Sequence, residues 1–217
     1  MNEKFSPFFE QYEMLAQSVE RAFESVKQQY PECVKCERYC SDCCHAVFDI
    51  TLIEALYINN RFRSKYDGKA LETLLERCNK IDRSLYKLKK EAYKSAESGV
   101  EEKEILVKMA EKRIRCPMLN DDNECEIYEF RPLTCKLYGI PTAIDGEGYT
   151  CGLSGFEKGK KYPTANLDQI QNKLFQISMD LTVSIKSNYT RMGEMLVPLS
   201  MALTTIYDDE YLGIQDK

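Results

Sequence analysis

Apolar side chains in the first 30 residues follow the period of a helix. They recur at intervals of three or four positions from Phe8 to Tyr30, which places them along one helical face. Pro31 comes next, and proline ends helices because it lacks a backbone N–H and restricts the residue before it. The sequence therefore predicts an amphipathic helix over residues 8–30.

The middle of the chain predicts further helices. Thr51 and Glu54 have the spacing of a capping box, in which two side chains satisfy the first free N–H groups of a helix. This helix is predicted to reach about Phe62, and Asp67-Gly68 then breaks the chain. Apolar residues return at helical spacing after that break and predict two more helices, over residues 69–96 and 101–113.

The C-terminal region, residues 166–207, is also predicted to be helical. A stripe of apolar residues runs from Leu167 to Ile185, and a second helix is expected from about Arg191 to Tyr207, with a kink at Pro198. No segment alternates strands with helices, which disfavours a doubly wound sheet or a barrel. The predicted fold class is mainly α, with helices packed around two cysteine-rich, turn-rich loops that form the metal site or sites.

The overall composition is that of a soluble globular protein. The chain has 217 residues, 43% of them hydrophobic and 30% charged, and this length suits a single domain, predicted over residues 1–217. The N-terminal residues have no apolar core of a secretory signal, and no apolar run is long enough to span a membrane. We therefore expect a cytoplasmic protein.

Positive charge is concentrated in residues 61–115, which hold 16 basic and ten acidic side chains, against a net charge of −5 for the whole chain. These charges interleave with apolar helical stripes, a pattern typical of the solvated faces of long helices. The basic-plus-aromatic pattern of a single-strand binder is missing. Nucleic acid is therefore disfavoured as a partner.

The ten cysteines are the unusual feature of the composition. Clustered cysteines in a cytoplasmic protein are typical of metal or redox sites, because the thiols there stay reduced. Gaps of two or three residues let one loop bring two thiolates to the same metal. Five of the ten lie within twelve residues: Cys33, Cys36, Cys40, Cys43 and Cys44.

The remaining cysteines are widely spaced. Cys78 lies in the apolar stripe of a predicted helix, where it is interpreted as a small hydrophobic core residue. With Cys33 also set aside as an extra candidate, eight thiols remain, enough for two four-thiolate sites or for one site with spare thiols. The predicted metal core spans residues 33–151. Its second group of thiols consists of Cys116, Cys125, Cys135 and Cys151.

Cys43 and Cys44 are adjacent. Because neighbouring side chains in an extended segment point to opposite sides, we expect the pair to face two centres, or to divide into one ligand and one reactive or buried thiol. His45, the only histidine, is either a further metal ligand or a residue that contacts the ligands or lies at the surface.

Three stretches of the chain carry a combination of motifs. They are Cys36-x3-Cys40-x2-Cys43-Cys44, then Cys116-Pro117-Met118-Leu119, then the run from Cys125 through Tyr128, Arg131-Pro132 and Cys135-Lys136 to Tyr138. Together they resemble the YkgJ-type cysteine-cluster family, whose flagellin lysine N-methylase relatives share the cluster. The resemblance covers about residues 36–151 and implies a zinc- or iron-chelating domain, but no particular reaction. The chain departs from the family in its first gap, in the extra Cys33 and in Lys136, where arginine is usual.

The residues favour a four-iron, four-sulfide cluster over zinc. A thiolate-held cluster is negatively charged and is stabilised by nearby cations, and nitrogen donors other than one histidine are missing. Zinc is the alternative, since the same thiolates would hold it in a closed structural site. Arg131 and Lys136 are expected beside the ligands, although Arg131 is also explained as a structural residue that pairs with Glu126, Glu129 or a nearby backbone carbonyl. The basic residues near the candidate ligands are Lys35, Arg38, Arg131 and Lys136.

Three functions are consistent with this chemistry. The first is an iron–sulfur protein that acts in electron transfer, redox sensing or support of a partner enzyme, with a redox or enzyme protein as its partner. The second is a zinc-stabilised structural or interaction module. The third is a cluster-dependent, methyltransferase-like enzyme, for which the chain offers neither a glycine-rich nucleotide loop nor a nucleophile–His–acid set.

Overall fold

The computed structural model describes residues 3–37 and 39–214, and the regular structure in these ranges is mostly helical. The mainly α class is thus confirmed. The helices are α1 (Ser6–Gln29), α2 (Leu52–Lys65), α3 (Gly68–Glu97), α4 (Glu102–Ala110), α5 (Leu133–Leu137), α6 (Leu167–Ser184) and α7 (Leu199–Thr204). The strands are β1 (Asp49–Thr51), β2 (Thr142–Ile144), β3 (Glu147–Tyr149), β4 (Ala165–Asn166) and β5 (Leu196–Pro198).

Helix α1 confirms the N-terminal prediction. Pro7 lies in its first turn, where the missing N–H would have no helical partner in any case. The helix ends at Gln29, just before Pro31. Its buried face packs against α2, α5 and α6, so α1 supports the short helix that carries one of the candidate cysteines.

Helix α2 lies in the middle of the core. Nine of its 14 residues are buried, so it is covered on several sides. The predicted capping box of Thr51 and Glu54 is present. Buried Asn59 donates from Nδ2 to the carbonyl oxygens of Ala202 (2.8 Å) and Thr205 (3.0 Å), which satisfies groups that the end of α7 leaves free.

Helices α3 and α4 confirm two predicted elements, and the break at Asp67-Gly68 separates α2 from α3. α4 is shorter than predicted. α3 packs on α7. Cys78 is fully buried in the hydrophobic core, as predicted for a small apolar residue.

The predicted helix over residues 191–207 is wrong. Met192–Glu194 forms a single 3-10 turn, Leu196–Pro198 forms β5, and only Leu199–Thr204 is α-helical. β5 pairs antiparallel with β1, and Val197 lies opposite Ile50. The reason is that proline, with a fixed φ and no N–H, suits a strand end or a helix start better than a helix interior. Pro198 is therefore a boundary and not a kink.

The turn-rich segment also contains a small sheet that the sequence did not predict. β2 pairs antiparallel with β3 and parallel with β4, and α6 then follows β4. Asn166 caps α6, because its side chain accepts a hydrogen bond from the Gln169 N–H at 2.9 Å. In the described part of the chain, no helix combines the length and the apolar character that crossing a membrane requires.

Candidate metal centre

The adjacent cysteines lie on a 3-10 turn, Asp42–His45, and not on an extended segment. Successive residues of a 3-10 helix are about 120° apart, so the two side chains are not opposed. The thiols of Cys43 and Cys44 are hydrogen-bonded to each other. The expectation that this pair points to opposite sides is therefore wrong.

Backbone hydrogen bonds join this turn to the second cysteine loop. The N–H of Cys116 donates to the carbonyl of Cys44 at 2.7 Å, and the N–H of Ile114 donates to the carbonyl of His45 at 3.1 Å. The two segments thus run side by side although 70 residues separate them in sequence. This pairing brings the two cysteine groups together.

The loop from Cys116 to Cys125 is closed by a local turn. Asn120 Oδ1 accepts hydrogen bonds from the backbone N–H groups of Asp122 (3.0 Å) and Glu124 (2.8 Å), and Leu119 and Cys125 form an antiparallel bridge. Asn and Asp side chains favour such turns. The turn places Cys125 next to Cys44, and their thiols are hydrogen-bonded.

Cys135 is positioned by α5, whose start is fixed by a buried carboxylate. Glu54, 2% exposed, accepts a hydrogen bond from the Leu133 N–H at 3.0 Å. The same carboxylate accepts from the N–H of Thr51 at 3.5 Å and from its hydroxyl at 3.4 Å. Glu54 therefore links the first turn of α2 to the helix that carries Cys135. The sequence showed its capping role but not this long-range contact.

Four of these sulfurs form a group that we call the inner thiols. Their charges raise one another's pKa values, and Cys43 acts in this way on each of them. The members are Cys44, Cys116, Cys125 and Cys135.

Hydrogen bonds between thiols lower the pKa values of two cysteines. The bond from Cys135 and the bond from Cys44 lower the pKa of Cys43 to about 3, and the bond from Cys44 lowers the pKa of Cys125. Burial raises the pKa of Cys116 to about 12. Thiolates and not thiols bind metals, so the lowered pKa of Cys43 gives it the protonation state that a ligand needs.

Three further sulfurs, which we call the outer thiols, are Cys36, Cys40 and Cys151. Burial is the main reason why the pKa of Cys36 is raised to about 12, and the charges of Cys40, Cys43 and Cys151 raise it further. Cys43 therefore lies between the inner and the outer thiols and interacts with both.

A glycine permits the position of Cys36. Its thiol donates to the carbonyl of Tyr138 at 3.1 Å, and a Cβ atom on Gly139 would overlap the Cys36 sulfur. Gly139 also has a φ of +107°, which favours glycine. Position 139 is a functional position that the sequence did not single out, although a glycine directly after the family motif was a usable signal.

Polar side chains near the surface position one of the outer thiols, Cys151. Cys151 donates from Sγ to Asp42 at 3.3 Å, and Arg113 pairs with the same carboxylate at 2.5 Å. Burial opposes ionisation of Asp42, but hydrogen bonds from Cys151 and Arg113 lower its pKa. Asp42 and Arg113 were also missed, because their contact joins residues 71 positions apart.

Arg131 lies beside both thiol groups. Its guanidinium stacks on the Tyr128 ring at 3.9 Å, and its charge lowers the pKa values of Cys36, Cys43 and Cys125. Its Nε is buried and has no hydrogen-bond partner among the described residues. Within the described ranges it forms no ion pair with a carboxylate, so the alternative pairing with Glu126 or Glu129 is not observed.

The other basic residues are placed differently. Lys136 is buried and pairs with Glu20 of α1 at 2.5 Å, and it also donates to the carbonyl of Glu129, so its ammonium group has an acidic partner on α1. Lys35 is exposed. Arg38 lies outside the described residues.

Two candidate ligands are set apart from the thiol groups. Cys33 is buried in the core, 7% exposed, and its thiol donates to Glu32 at 3.5 Å. His45 is half-buried, and its Nδ1 is bonded to the carbonyl of Ser41 at 3.0 Å. Neither side chain is brought to the inner thiols.

A cavity of about 520 Å³ opens beside the thiols. One wall consists of the inner thiols together with Cys40 and Cys43, and the opposite wall is formed by α3, β5, α7 and the segment before β1. Among the residues that the structure describes, no three His, Cys, Asp or Glu side chains stand in the arrangement of a bound metal ion. The thiols approach one another in hydrogen-bonded pairs instead.

Comparison with known families gives one match. The profile of the CxxCxxCC family, described as a "putative zinc- or iron-chelating domain", matches residues 35–152, a range that contains the inner and outer thiols, Cys43 and Arg131. No curated protein and no solved structure matches the chain with significance.

Proposed function

Because this chain belongs to the CxxCxxCC family of zinc- or iron-chelating domains, we propose that it binds an iron–sulfur cluster at the inner thiols. The outer thiols, together with Cys43, form a second thiolate site. The observation that carries the proposal is the convergence of thiols from two distant loops on Cys43. The proposed ligands are Cys36, Cys40, Cys43, Cys44, Cys116, Cys125, Cys135 and Cys151.

The donor set suits such a centre. The candidate ligands are all sulfur atoms, the ligand type that iron–sulfur clusters use, and Cys43 is favoured as a thiolate by its lowered pKa. Arg131 supplies a positive charge beside sulfurs of both groups, and its buried Nε needs an acceptor. A negatively charged thiolate centre provides that acceptor, which supports iron–sulfur chemistry at this place.

The chain's own residues prepare the centre for redox chemistry. A bound cluster supplies one-electron transfer. Arg131 favours the more negative, reduced state by its charge, while buried Met118, Ile127 and Leu133 exclude water on the core side. Tyr128, 62% exposed, lies at the opposite, solvent side, where a redox or enzyme partner has access. We therefore propose a role in electron transfer, redox sensing or support of a partner enzyme.

Anaerobic purification followed by iron, zinc and sulfide analysis tests this function. We expect a brown protein with iron and sulfide in equal amounts and a visible absorption that bleaches on reduction. A colourless protein with stoichiometric zinc and no sulfide would contradict the iron–sulfur proposal and support a zinc-stabilised structural or interaction module. The metal-to-protein ratio also distinguishes one centre from two.

A further inference from the structure

The wall of the cavity opposite the thiols has no role in holding metal. Ile81 and Leu85 of α3 and Leu199 of α7 line it, together with Phe48. These side chains are only half-buried, so they present apolar surface to the cavity. The sulfur ligands hold the metal, and these aliphatic groups supply no ligand atom.

The size of the cavity exceeds what a closed structural metal site requires. Pockets for small organic ligands have volumes of about 300–1,000 Å³ and are mostly apolar with a few polar groups, and this cavity of about 520 Å³ falls in that range. Burial of apolar surface is the main gain when such a pocket is filled. The cavity therefore has the properties of a ligand site that adjoins the thiols.

The polar side chains of the cavity lie beside the thiols or have partners of their own. Arg115 donates to the carbonyls of Leu119 and Asn120, and Arg131 stacks on Tyr128 beside the thiols. On the apolar wall, the hydroxyl of buried Ser200 is already bonded to Asp82 at 2.6 Å. The two arginines belong to the thiol side of the cavity, whereas its other side offers a ligand mainly apolar contacts.

We propose that the cavity binds a mostly apolar small organic molecule between the metal-holding thiols and the wall formed by Ile81, Leu85, Leu199 and Phe48. This inference rests on the proposed function. If the cavity binds a ligand, the thiolate centre faces that ligand, as in an enzyme or a ligand-responsive redox protein. The centre is then not a closed structural site. The backbone beside the cavity supports the inference, since Tyr39 lines it with a φ of +72°, and strain of this kind is concentrated at functional sites.

Binding of 4-phenylbutan-1-ol to the anaerobically purified protein tests the proposal. We expect saturable binding by calorimetry, at least tenfold tighter than binding of butan-1-ol, which has the same hydroxyl group but lacks the apolar ring. Equal affinity for the two probes, or no binding of 4-phenylbutan-1-ol, would overturn the proposal.

A pair of variants on α3 locates the binding. Leu85→Trp fills the cavity and is expected to weaken 4-phenylbutan-1-ol binding at least tenfold, whereas Tyr86→Trp adds the same ring at the next, 67% exposed position and leaves binding unchanged. Ile81→Phe, on the same wall, replaces Leu85→Trp if circular dichroism shows that the latter does not fold. Unchanged binding in the cavity-filling variant would refute the site.

Metal content separates this inference from the proposed function. Neither Leu85 nor Ile81 is a proposed ligand, so their variants are expected to keep the wild-type metal-to-protein ratio. If the wild type contains iron and sulfide but does not bind 4-phenylbutan-1-ol, only the cavity inference fails. If it contains neither metal nor sulfide, the proposed function fails.

Discussion

The inner and outer thiols are held by different kinds of structure. The inner thiols have buried neighbours in sequence, such as Met118, Ile127 and Leu133, and α5 is tied to the core by Glu54. The outer thiols have exposed neighbours, such as Gly152 and Leu153, and depend on a surface ion pair and on a glycine. A ligand built into the core contributes to folding when it binds metal, whereas a ligand on a surface loop changes little beyond its own site.

The largest expected effect comes from comparing Cys135→Ser with Cys151→Ser. Cys135→Ser should lose the inner metal and several kcal/mol of unfolding free energy, because the binding free energy of a structural metal, about 10–16 kcal/mol in zinc-finger peptides, is coupled to folding. Cys151→Ser should lose the outer metal only and unfold at nearly the wild-type denaturant concentration. Metal analysis and urea unfolding of both proteins measure the difference.

Cys40→Ser and Cys43→Ser extend this comparison. Cys40→Ser should behave like Cys151→Ser, whereas Cys43→Ser should reduce metal at both groups, since Cys43 interacts with both. Equal loss of metal and stability in the Cys135 and Cys151 variants would show a single centre and end the division into inner and outer thiols.

Glu54→Gln tests how Glu54 stabilises the structure around the inner thiols, through the pH dependence of the free energy of unfolding. Burial raises the pKa of Glu54 from 4.5 to about 7, so the folded state binds its proton more tightly than the unfolded state. The associated stability is fully present below pH 4.5 and is lost as pH rises through 7. Relative to Glu54→Gln, the wild type should lose about 3 kcal/mol over this range.

Urea unfolding of both proteins between pH 5 and pH 8 provides the measurement. Glu10→Gln on α1 is a matched control, since Glu10 is exposed, and it should follow the wild type at every pH. A constant difference between wild type and Glu54→Gln across this range would mean that Glu54 is ionised throughout.

Gly139→Ala tests the outer side. The added Cβ would overlap the Cys36 sulfur and the residue would keep a φ of +107°, so we expect about 2 kcal/mol of destabilisation and loss of the outer metal. Gly146→Ala also has a positive φ, of +77°, but open space at its Cβ, and it should keep its metal. If Gly139→Ala retains all of its metal, Cys36 is not a ligand.

The sequence predicted those parts of the fold in which local pattern and tertiary structure agree. The periodic stripe from Phe8 to Tyr30 formed α1, because an amphipathic face is buried wherever the core lies. The structure at Pro198 was predicted wrongly, because proline is compatible with a helix kink, a strand end or a helix start. Only the pairing of β5 with β1 selects among these.

The sequence predicted the candidate donors of the site but not how they come together. Cysteine spacing identified the thiols because metal ligands must be close in space. The division into inner and outer thiols depends on contacts between distant residues, such as Glu54 with Leu133 and Asp42 with Arg113, which leave no local pattern. The orientation of Cys43 and Cys44 was missed because a 3-10 turn, and not an extended segment, carries them.

The smallest effect is expected for Cys78→Ala, which sets a baseline for both thiol groups. Cys78 is fully buried among apolar side chains of α3, and burial raises the pKa of its thiol to about 12, so it stays a neutral thiol. Removing its sulfur leaves a small cavity, for which we expect about 1 kcal/mol of destabilisation. The metal-to-protein ratio should equal that of the wild type, as it should in Cys33→Ala. A drop in metal content in Cys78→Ala would place this thiol among the ligands, and the inner group would then extend into the helix that also forms the apolar wall of the cavity.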